Sequence, residues 1–236
     1  DHSLKLWEGL SQELNYNVMF SQRGVMNLAH NLHDVRELKR RTHANRLNGI
    51  DCEWLNTDQV KKFCPVINCS PDIRYPVLGS TLQRRAGTAR HDAVAWGYAR
   101  GADAMGVDII QNCEVKGIKR KGDSVEGIET SRGFIKTSKI GIVAAGHSSV
   151  LANMVGIRLP LESKPLQALV SEPIKPIIDT VVMSNAVHAY VSQSDKGELV
   201  IGAGTDAYIS YTQKGTHEVI EGTLKAILEL YPIFSR

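Results

Sequence analysis

The stretch Ile140-Gly141-Ile142-Val143-Ala144-Ala145 restricts the possible folds of this chain more than any other feature. An apolar run without alternation is typical of a parallel strand that is buried on both faces of its sheet. Gly146 follows at once, and the next residues predict a helix that continues to about Val155. A buried strand that passes directly into a helix indicates the α/β class.

The small residues Ala144, Ala145 and Gly146 allow two interpretations. A backbone without projecting side chains can approach a ribose or a pyrophosphate closely, or it can pack tightly on a helix without any ligand. The order of elements upstream is more specific. A helix is followed by a short apolar strand at 107–110 and by three strands with intervening turns, predicted at 113–119, 124–130 and 134–138.

A loop rich in arginine precedes that helix, in the segment Arg84-Arg85-Ala86-Gly87-Thr88-Ala89-Arg90-His91. The residues from Asp92 onward predict an amphipathic helix whose inner face carries positions 94, 95, 98, 99, 102 and 105. His91 therefore stands where guanidinium groups, free backbone N–H groups and the positive end of a helix dipole meet. Such a place suits a phosphate or another electron-rich group. The alternative is a loop whose arginines are simply solvated.

The other segments predict a second sheet, antiparallel and flanked by helices. Strands are expected at 164–171, 180–183, 186–192 and 198–202, with further strand material at 17–28. Helices are expected at 3–14, 34–47, 57–63 and 216–230, and Thr57 is expected to cap the third of these.

The sequence from Gly202 to Ala207 formally fits a dinucleotide-binding fingerprint. A true fingerprint needs its helix to begin at once, so that the helix N-terminus meets the pyrophosphate. Here strand-like residues follow first and the next helix is expected only at about Thr216. The match is therefore interpreted as accidental.

Composition excludes several classes of function. A net charge of +3 gives no strong field toward nucleic acid or a membrane surface, and no apolar stretch reaches membrane-spanning length. The four cysteines contain no C-x-x-C pair, so a reduced, cytoplasmic protein is expected. His30 and His33 could share a helix face, but no third ligand accompanies them, so no metal site is expected. The start at Asp1 and the abrupt end at Arg236 are interpreted as an internal fragment of a longer protein.

Nearly the whole chain, and most specifically the segment from about Leu82 to Pro160, resembles the beta subunits of heterotetrameric sarcosine oxidases, flavoenzymes of the D-amino-acid-oxidase-like superfamily. In that family a histidine in the context A-R-H-D-x-V-A-W-G carries FMN through the 8α-methyl group of the flavin, and the match falls on His91. The resemblance implies that Arg90, Arg84 and Arg85 bind this FMN. It also implies a noncovalent FAD that is lined by Val115, Ala144, Ala145 and Gly146.

By the same resemblance, residues 1–81 contribute helices and strands to a substrate domain, and residues 82–163 form the middle of a Rossmann-like FAD-binding domain. Residues 164–236 return to the antiparallel sheet and a helix of the substrate domain. The fold class is therefore α/β in the broad sense that includes α+β.

The implied activity is oxidative demethylation of sarcosine to glycine, with formaldehyde or methylenetetrahydrofolate and hydrogen peroxide as co-products. The implied partners are alpha, gamma and delta subunits, with the FMN loop facing the alpha subunit. The fragment by itself is expected to be inactive, and whether it retains flavin is left open. Two alternatives remain: an FAD-only amine or amino-acid oxidase or dehydrogenase of this superfamily, and a noncatalytic assembly subunit.

Overall fold

The structure is a computed structural model that describes residues 2–235, apart from the side chain of residue 203. The chain forms two compact units. The first consists of the described residues up to Met105, of Leu166–Asp206 and of those from Gly215 onward; the second consists of Gly106–Pro165 and Ala207–Lys214. Residues 82–105 thus pack with the first unit. The division into units reflects packing, whereas the prediction that residues 82–163 form one domain refers to binding of the same cofactor. That prediction stays a prediction.

The first unit alternates helices and short strands. Its elements are α1 (His2–Glu13), β1 (Val25–Ala29), α2 (Leu32–Leu47), β2 (Glu53–Leu55), α3 (Thr57–Phe63), β3 (Gly79–Gln83), α4 (His91–Ala104), β7 (Leu166–Pro173), β8 (Val181–Ser184), β9 (Ala189–Gln193), β10 (Glu198–Thr205), α6 (His217–Leu230) and a final 3-10 turn (Pro232–Ser235). Within residues 2–235, no helix is both long enough and apolar enough to cross a bilayer.

Seven strands form one mixed sheet in the order β2-β3-β1-β8-β9-β10-β7. Its neighbours are antiparallel except for β1 and β8, which run parallel with Val25 opposite Val181. The expectation of a purely antiparallel sheet after residue 164 is therefore wrong in this pair. The cause is local: the carbonyl of Gly24 accepts hydrogen bonds from the Thr180 hydroxyl at 2.9 Å and from the Val181 N–H at 3.1 Å.

Alternate residues of this sheet pack into the core with α3 and α6. Every second residue of a strand points to the same face, so Val191, Leu199 and Ile201 are buried in one cluster with helix residues such as Val60 and Ile227. Side chains of the opposite parity are more open: Val170 is 65% exposed and Tyr190 is 39% exposed. The sheet therefore presents a second, partly apolar face.

The start of α3 differs from the prediction. Asn56, rather than Thr57, is the cap: its side chain accepts a hydrogen bond from the Gln59 N–H at 2.9 Å, and the Gln59 side chain accepts one from the Asn56 N–H at 2.9 Å. This reciprocal pair is a capping box. Thr57 is already the first helical residue, and its hydroxyl donates to the Val77 carbonyl at 2.9 Å.

The inner face of α4 also differs from the prediction. Ala93 and Gly97 are buried, whereas Tyr98 and Met105 are 55% and 86% exposed. A Cβ atom at Gly97 would lie 3.2–3.3 Å from side-chain atoms of Leu14, Tyr16 and Val18. Small residues thus decide which face of α4 packs, because they let segment 14–18 approach the helix axis closely.

The second unit contains β4 (Val115–Lys121), β5 (Ser124–Thr130), β6 (Gly133–Lys136), a 3-10 turn (Ala145–His147) and α5 (Ser148–Asn153). The three strands form an antiparallel sheet in the order β4-β5-β6, so the predicted meander is confirmed. The predicted helix after Gly146 is confirmed as α5.

The strands that were predicted at 107–110 and 139–145 are wrong in this structure. Neither segment forms a strand before the 3-10 turn begins at Ala145, and Val143 is 97% exposed. A parallel strand exists only when a neighbouring strand accepts and donates its backbone hydrogen bonds. Within residues 2–235, no strand pairs with either segment.

The interpretation of the glycine-rich fingerprint as accidental is confirmed. Strand β10 continues to Thr205, and the next helix, α6, begins only at His217. The buried Asp206 accepts a hydrogen bond from the Thr216 hydroxyl at 2.6 Å and another from the Gln167 amide at 3.0 Å. This carboxylate therefore joins the end of β10 to the residue that precedes α6.

Candidate functional site

The segment that carries His91 is fixed by backbone bonds to a distant part of the chain. Ser21 and Thr88 exchange two backbone hydrogen bonds, at 2.7 and 3.0 Å, and the Gly24 N–H donates to the Ala86 carbonyl at 2.7 Å. Gly87 lies between these bonds, and a Cβ atom there would stand only 1.8 Å from the Ser21 carbonyl oxygen. Residue 87 must therefore be glycine for the two segments to approach this closely.

His91 is the first residue of α4, and its side chain is exposed. Arg90 precedes the helix in an extended conformation, without a side-chain cap on the helix. The Arg90 guanidinium instead donates to both carboxylate oxygens of Asp92, from Nε at 3.2 Å and from Nη2 at 3.1 Å. This pairing, together with the Ala93 N–H, lowers the pKa of Asp92. The imidazole is therefore held at the helix start beside a guanidinium whose charge is already compensated.

The three arginines of the segment point in different directions. Arg84 pairs with Glu53 at 2.6 Å and lies over the ring of Phe63, with 5.4 Å to the ring centroid. Arg85 donates to both carboxylate oxygens of Glu8, at distances down to 2.7 Å. These bonds lower the pKa of Glu8. The structure thus brings Arg90 and His91 together but does not bring Arg84 and Arg85 to the same place.

A cleft of about 740 Å³ opens beside His91 in the first unit. Its lining comes from segments 17–23 and 88–91, from strands β7, β9 and β10, and from the turn between β9 and β10. The sheet contributes apolar side chains here, among them Val170, Tyr190 and Val200. Sites for small molecules are typically clefts of this size with a largely apolar wall and a few charged groups.

The charged groups of the cleft include two cations that the sequence analysis did not propose. Arg23 and Lys196 line it together with Arg90, and the carboxylates of Asp195 and Glu198 line it as well. No pattern within either local sequence distinguishes these two residues, because they belong to segments that are far apart in sequence. The hydrogen bond from Arg23 Nη1 to the Gln193 carbonyl, at 3.1 Å, is what joins them.

The residues proposed for the adenine and ribose side of a dinucleotide lie in the second unit. Val115 begins β4 and is paired with Thr130, and Ala144 precedes the 3-10 turn. Ala145 has a φ of 44°, which is unfavourable for a residue with a Cβ atom. A Cβ atom at Gly146 would lie 2.7 Å from the Ser163 oxygen, so the absence of a side chain there serves packing within the protein. Ala144 and Ala145 leave their backbone uncovered by any large side chain of their own.

Both ring nitrogens of His30 are engaged within the protein. The carbonyl of Tyr75 accepts from Nδ1 at 3.0 Å, so Nδ1 carries the proton, and Nε2 accepts from the Ser184 hydroxyl at 2.8 Å. Burial is the main influence on this imidazole and lowers its pKa. His30 is therefore a core residue that connects β1 to β8 and to the loop before β3.

The class of protein follows from comparison of the sequence with known families. The sequence model of the family described as FAD dependent oxidoreductase matches residues 1–236, and the chain belongs to that family. The resemblance to the D-amino-acid-oxidase-like superfamily is thereby confirmed.

Particular relatives are much more similar than the family at large. The sarcosine oxidase subunit beta of Arthrobacter sp is 58% identical over 236 residues, which are 100% of this chain and 58% of that protein. The protein of the same name from Rhodobacter capsulatus is 56% identical over 231 residues, or 98% of this chain and 56% of that protein. The chain thus spans a little more than half the length of these curated relatives.

Solved structures agree on the fold. The L-proline dehydrogenase from P. horikoshii superposes with a TM-score of 0.87 and covers 99% of this chain and 62% of its own, at 23% sequence identity. At that identity the likeness concerns the fold alone. The predicted fold class, α/β in the broad sense that includes α+β, is confirmed.

Proposed function

We propose that this chain is part of the beta subunit of a sarcosine oxidase. The assembled enzyme oxidises sarcosine to glycine, with formaldehyde or methylenetetrahydrofolate and hydrogen peroxide as co-products. The observation that carries this proposal is the 58% identity with the Arthrobacter sarcosine oxidase subunit beta, which extends over the whole of this chain. The catalytic role of the chain is that of an oxidoreductase subunit, in keeping with its family.

The proposal includes two flavins. FAD is held without a covalent bond, with Val115, Ala144, Ala145 and Gly146 along it. The family description supports FAD, and the strained backbone of Ala145 supports a functional role for this turn, because such conformations concentrate at ligand sites. The flavins supply the redox chemistry, and the protein supplies binding, orientation and electrostatics.

His91 is the proposed attachment point of FMN. Its imidazole is exposed on the wall of the cleft, where a nitrogen can form a bond to the 8α carbon of the flavin. With FMN bound there, this bond would form with loss of one hydrogen from the imidazole and one from the methyl group, and oxygen would take up both as hydrogen peroxide. The Ser21–Thr88 bonds fix the backbone three residues before His91.

The arginines of the segment have different prospects in this proposal. Arg90 lines the cleft and is proposed to contact the flavin or its phosphate. Arg84 and Arg85 can do so only if each leaves the carboxylate with which it is paired, Glu53 or Glu8. Their assignment to FMN therefore costs two charge-assisted contacts.

The partners in this proposal are the alpha, gamma and delta subunits, and the substrate is sarcosine. The name "subunit beta" of the relatives supports a complex of several subunits. We place the loop 84–91 against the alpha subunit and the complex in the cytoplasm, in keeping with four free cysteines.

The test is the intact mass of the full-length beta subunit, co-expressed with its partners and denatured before measurement. The wild type is expected to carry an increment of about one FMN, and His91→Ala is expected to carry none, because the bond goes through this side chain. Noncovalent FAD, released on denaturation, is expected from both. Absence of the increment from the wild type, with FAD still released, would indicate an FAD-only amine oxidase instead. Absence of all flavin would indicate an assembly subunit.

A further inference from the structure

Arg23 lines the cleft, and its guanidinium is held by neutral acceptors. Its Nε donates to the Ser21 hydroxyl at 2.8 Å and its Nη1 donates to the Gln193 carbonyl at 3.1 Å; both acceptors are neutral. Within residues 2–235, no carboxylate forms an ion pair with it. A guanidinium has five N–H donors, so most of the donors of Arg23 have no acceptor in the described part of the protein.

The contrast with the other arginines is direct. Arg84, Arg85 and Arg90 each pair with a carboxylate, at 2.6, 2.7 and 3.1 Å respectively. A half-buried guanidinium that lines a cleft with unused donors is suited to a planar or tetrahedral anion, which it can bind through two parallel hydrogen bonds. Of these four, Arg23 alone lines the cleft and has no carboxylate partner within residues 2–235.

Lys196 is a second cation that lines the same cleft. It lies in the turn between β9 and β10, directly after Asp195, and its side chain is exposed. Gln193, whose carbonyl holds Arg23, is the last residue of β9 before this turn. The two cations are thus joined through one short backbone segment. Of the nearby carboxylates, Glu198 accepts a hydrogen bond from the Ser194 hydroxyl at 2.8 Å.

Arg23 is connected to His91 by contacts that lie within the first unit. Arg23 is bound to Ser21, Ser21 is bound to Thr88 by two backbone hydrogen bonds, and Thr88 is three residues before His91. A flavin attached at His91 carries its phosphate on the ribityl chain, well away from the methyl group that forms the bond. The cleft of about 740 Å³ has room for both ends of such a molecule.

We infer that Arg23 and Lys196 form an anion-binding subsite, and that it takes the phosphate of the flavin attached at His91. The inference rests on the proposed function and deepens it. It replaces Arg84 and Arg85 as the phosphate ligands with two residues that line the cleft already. The carboxylate of the substrate has related chemistry, and the test separates the two sources.

The experiment uses the full-length subunit co-expressed with its partners under limiting riboflavin. Intact mass gives the fraction with covalent FMN, and the FAD that is released on denaturation reports folding. Lys196→Glu and Arg23→Met are expected to lower the FMN-bearing fraction about tenfold, the effect of losing one charge-assisted hydrogen bond. Lys62→Glu, which reverses a charge on α3 outside the cleft, is the matched control and is expected to equal the wild type.

Each other outcome decides against the inference in a defined way. Equal FMN in Lys196→Glu, Arg23→Met and the wild type overturns it, and equal FMN with a raised KM for sarcosine assigns the subsite to the substrate carboxylate. Loss of FMN in Arg84→Met/Arg85→Met alone overturns it in favour of those arginines. If Arg23→Met loses FAD as well, Lys196→Glu decides, because that side chain is exposed on a turn. A wild type without covalent FMN refutes the proposed function itself.

Discussion

The segments that carry His91 and Ala144 both lead into a helix, but they are held in place very differently. Before His91, the backbone exchanges hydrogen bonds with Ser21 and Gly24, more than sixty residues earlier in the chain. Before Ala144, residues 139–143 form no strand, and Val143 is 97% exposed. The first segment therefore has its hydrogen-bond partners within the described protein, whereas the second has no paired strand there.

The difference lies in what each kind of structure needs. A loop that is tied to a distant segment needs that segment alone, and segment 21–24 is present. An apolar strand that is buried on both faces needs hydrogen-bonded strands beside it and covering layers above and below. Substitutions in the segment before His91 and in the segment before Ala144 should therefore have different effects.

The largest effect is expected from Gly87→Ala, which tests the segment before His91. A Cβ atom at residue 87 would stand 1.8 Å from the Ser21 carbonyl oxygen, which is part of the backbone and cannot move freely. We expect a loss of about 3 kcal/mol in the free energy of unfolding, at the upper end of overpacking effects, and loss of covalent flavin at His91.

The measurements are thermal unfolding and intact mass of the full-length subunit. Gly222→Ala is the control, because Gly222 lies inside α6 and a Cβ atom there would meet nothing within 4 Å beyond the backbone of its own helix. That substitution is expected to stabilise the helix by about 0.5–1 kcal/mol. If Gly87→Ala unfolds like the wild type and still carries FMN, the segment is not held by this close approach.

The next effect is expected from Val143→Asp, which tests the segment without a paired strand. If Val143 stays exposed in the full-length subunit, as it is here, the substitution should change the free energy of unfolding by less than about 0.5 kcal/mol. We expect instead a loss of about 2–3 kcal/mol together with lowered FAD content, because the resemblance places this run in a strand buried on both faces.

Val143→Ile serves as the matched control, since it keeps the segment apolar and β-branched. It should retain both the stability and the FAD content of the wild type. Hydrogen exchange of amides 140–144 gives an independent readout: protection in the full-length subunit supports the strand, and exchange as fast as that of the turn at 121–123 contradicts it.

The same contrast explains how far the sequence could predict the structure. The meander and α6 were predictable because turns and apolar periodicity are local patterns that extend over only about ten residues. The parallel pairing of β1 with β8 was not, because it depends on the contact of Gly24 with Thr180 across 156 residues. The packed face of α4 was missed because Gly97 packs by its lack of a side chain, which a count of apolar positions does not register.

In the candidate site too, features that depend on short sequence patterns were predicted, whereas contacts between distant residues were not. The flavin attachment point at His91 was proposed from the resemblance of its motif to a known family, whereas the residues alone indicated only a site for an electron-rich group or a solvated loop. The position of Arg23 in the cleft could not be predicted from local sequence, because its carbonyl partner belongs to Gln193, 170 residues later. The pairing of Arg85 with Glu8 could not be predicted either, because 77 residues separate them. This pairing affects which arginines are available to a ligand.

The smallest effect is expected from protonation of His30. It tests whether the hydrogen bonds of this imidazole within the first unit contribute to stability. Nε2 accepts from the Ser184 hydroxyl, so protonation would remove that acceptor in a buried place. Burial lowers the pKa of His30 in the folded protein below its unfolded value of about 6.5. The unfolded chain therefore binds the proton first, and stability should be lost as the pH falls below that value.

The slope cannot exceed about 1.4 kcal/mol per pH unit for one proton. Thermal unfolding of the full-length subunit between pH 8 and 5 (a range chosen to bracket about 6.5) should show this loss in the wild type. His30→Gln keeps a donor and an acceptor but has no proton to gain, so its stability should fall less steeply over the same range. Parallel pH profiles for the two proteins would mean that Ser184 and Tyr75 accommodate the charged imidazole, and that the sheet tolerates a protonation which its present hydrogen bonds oppose.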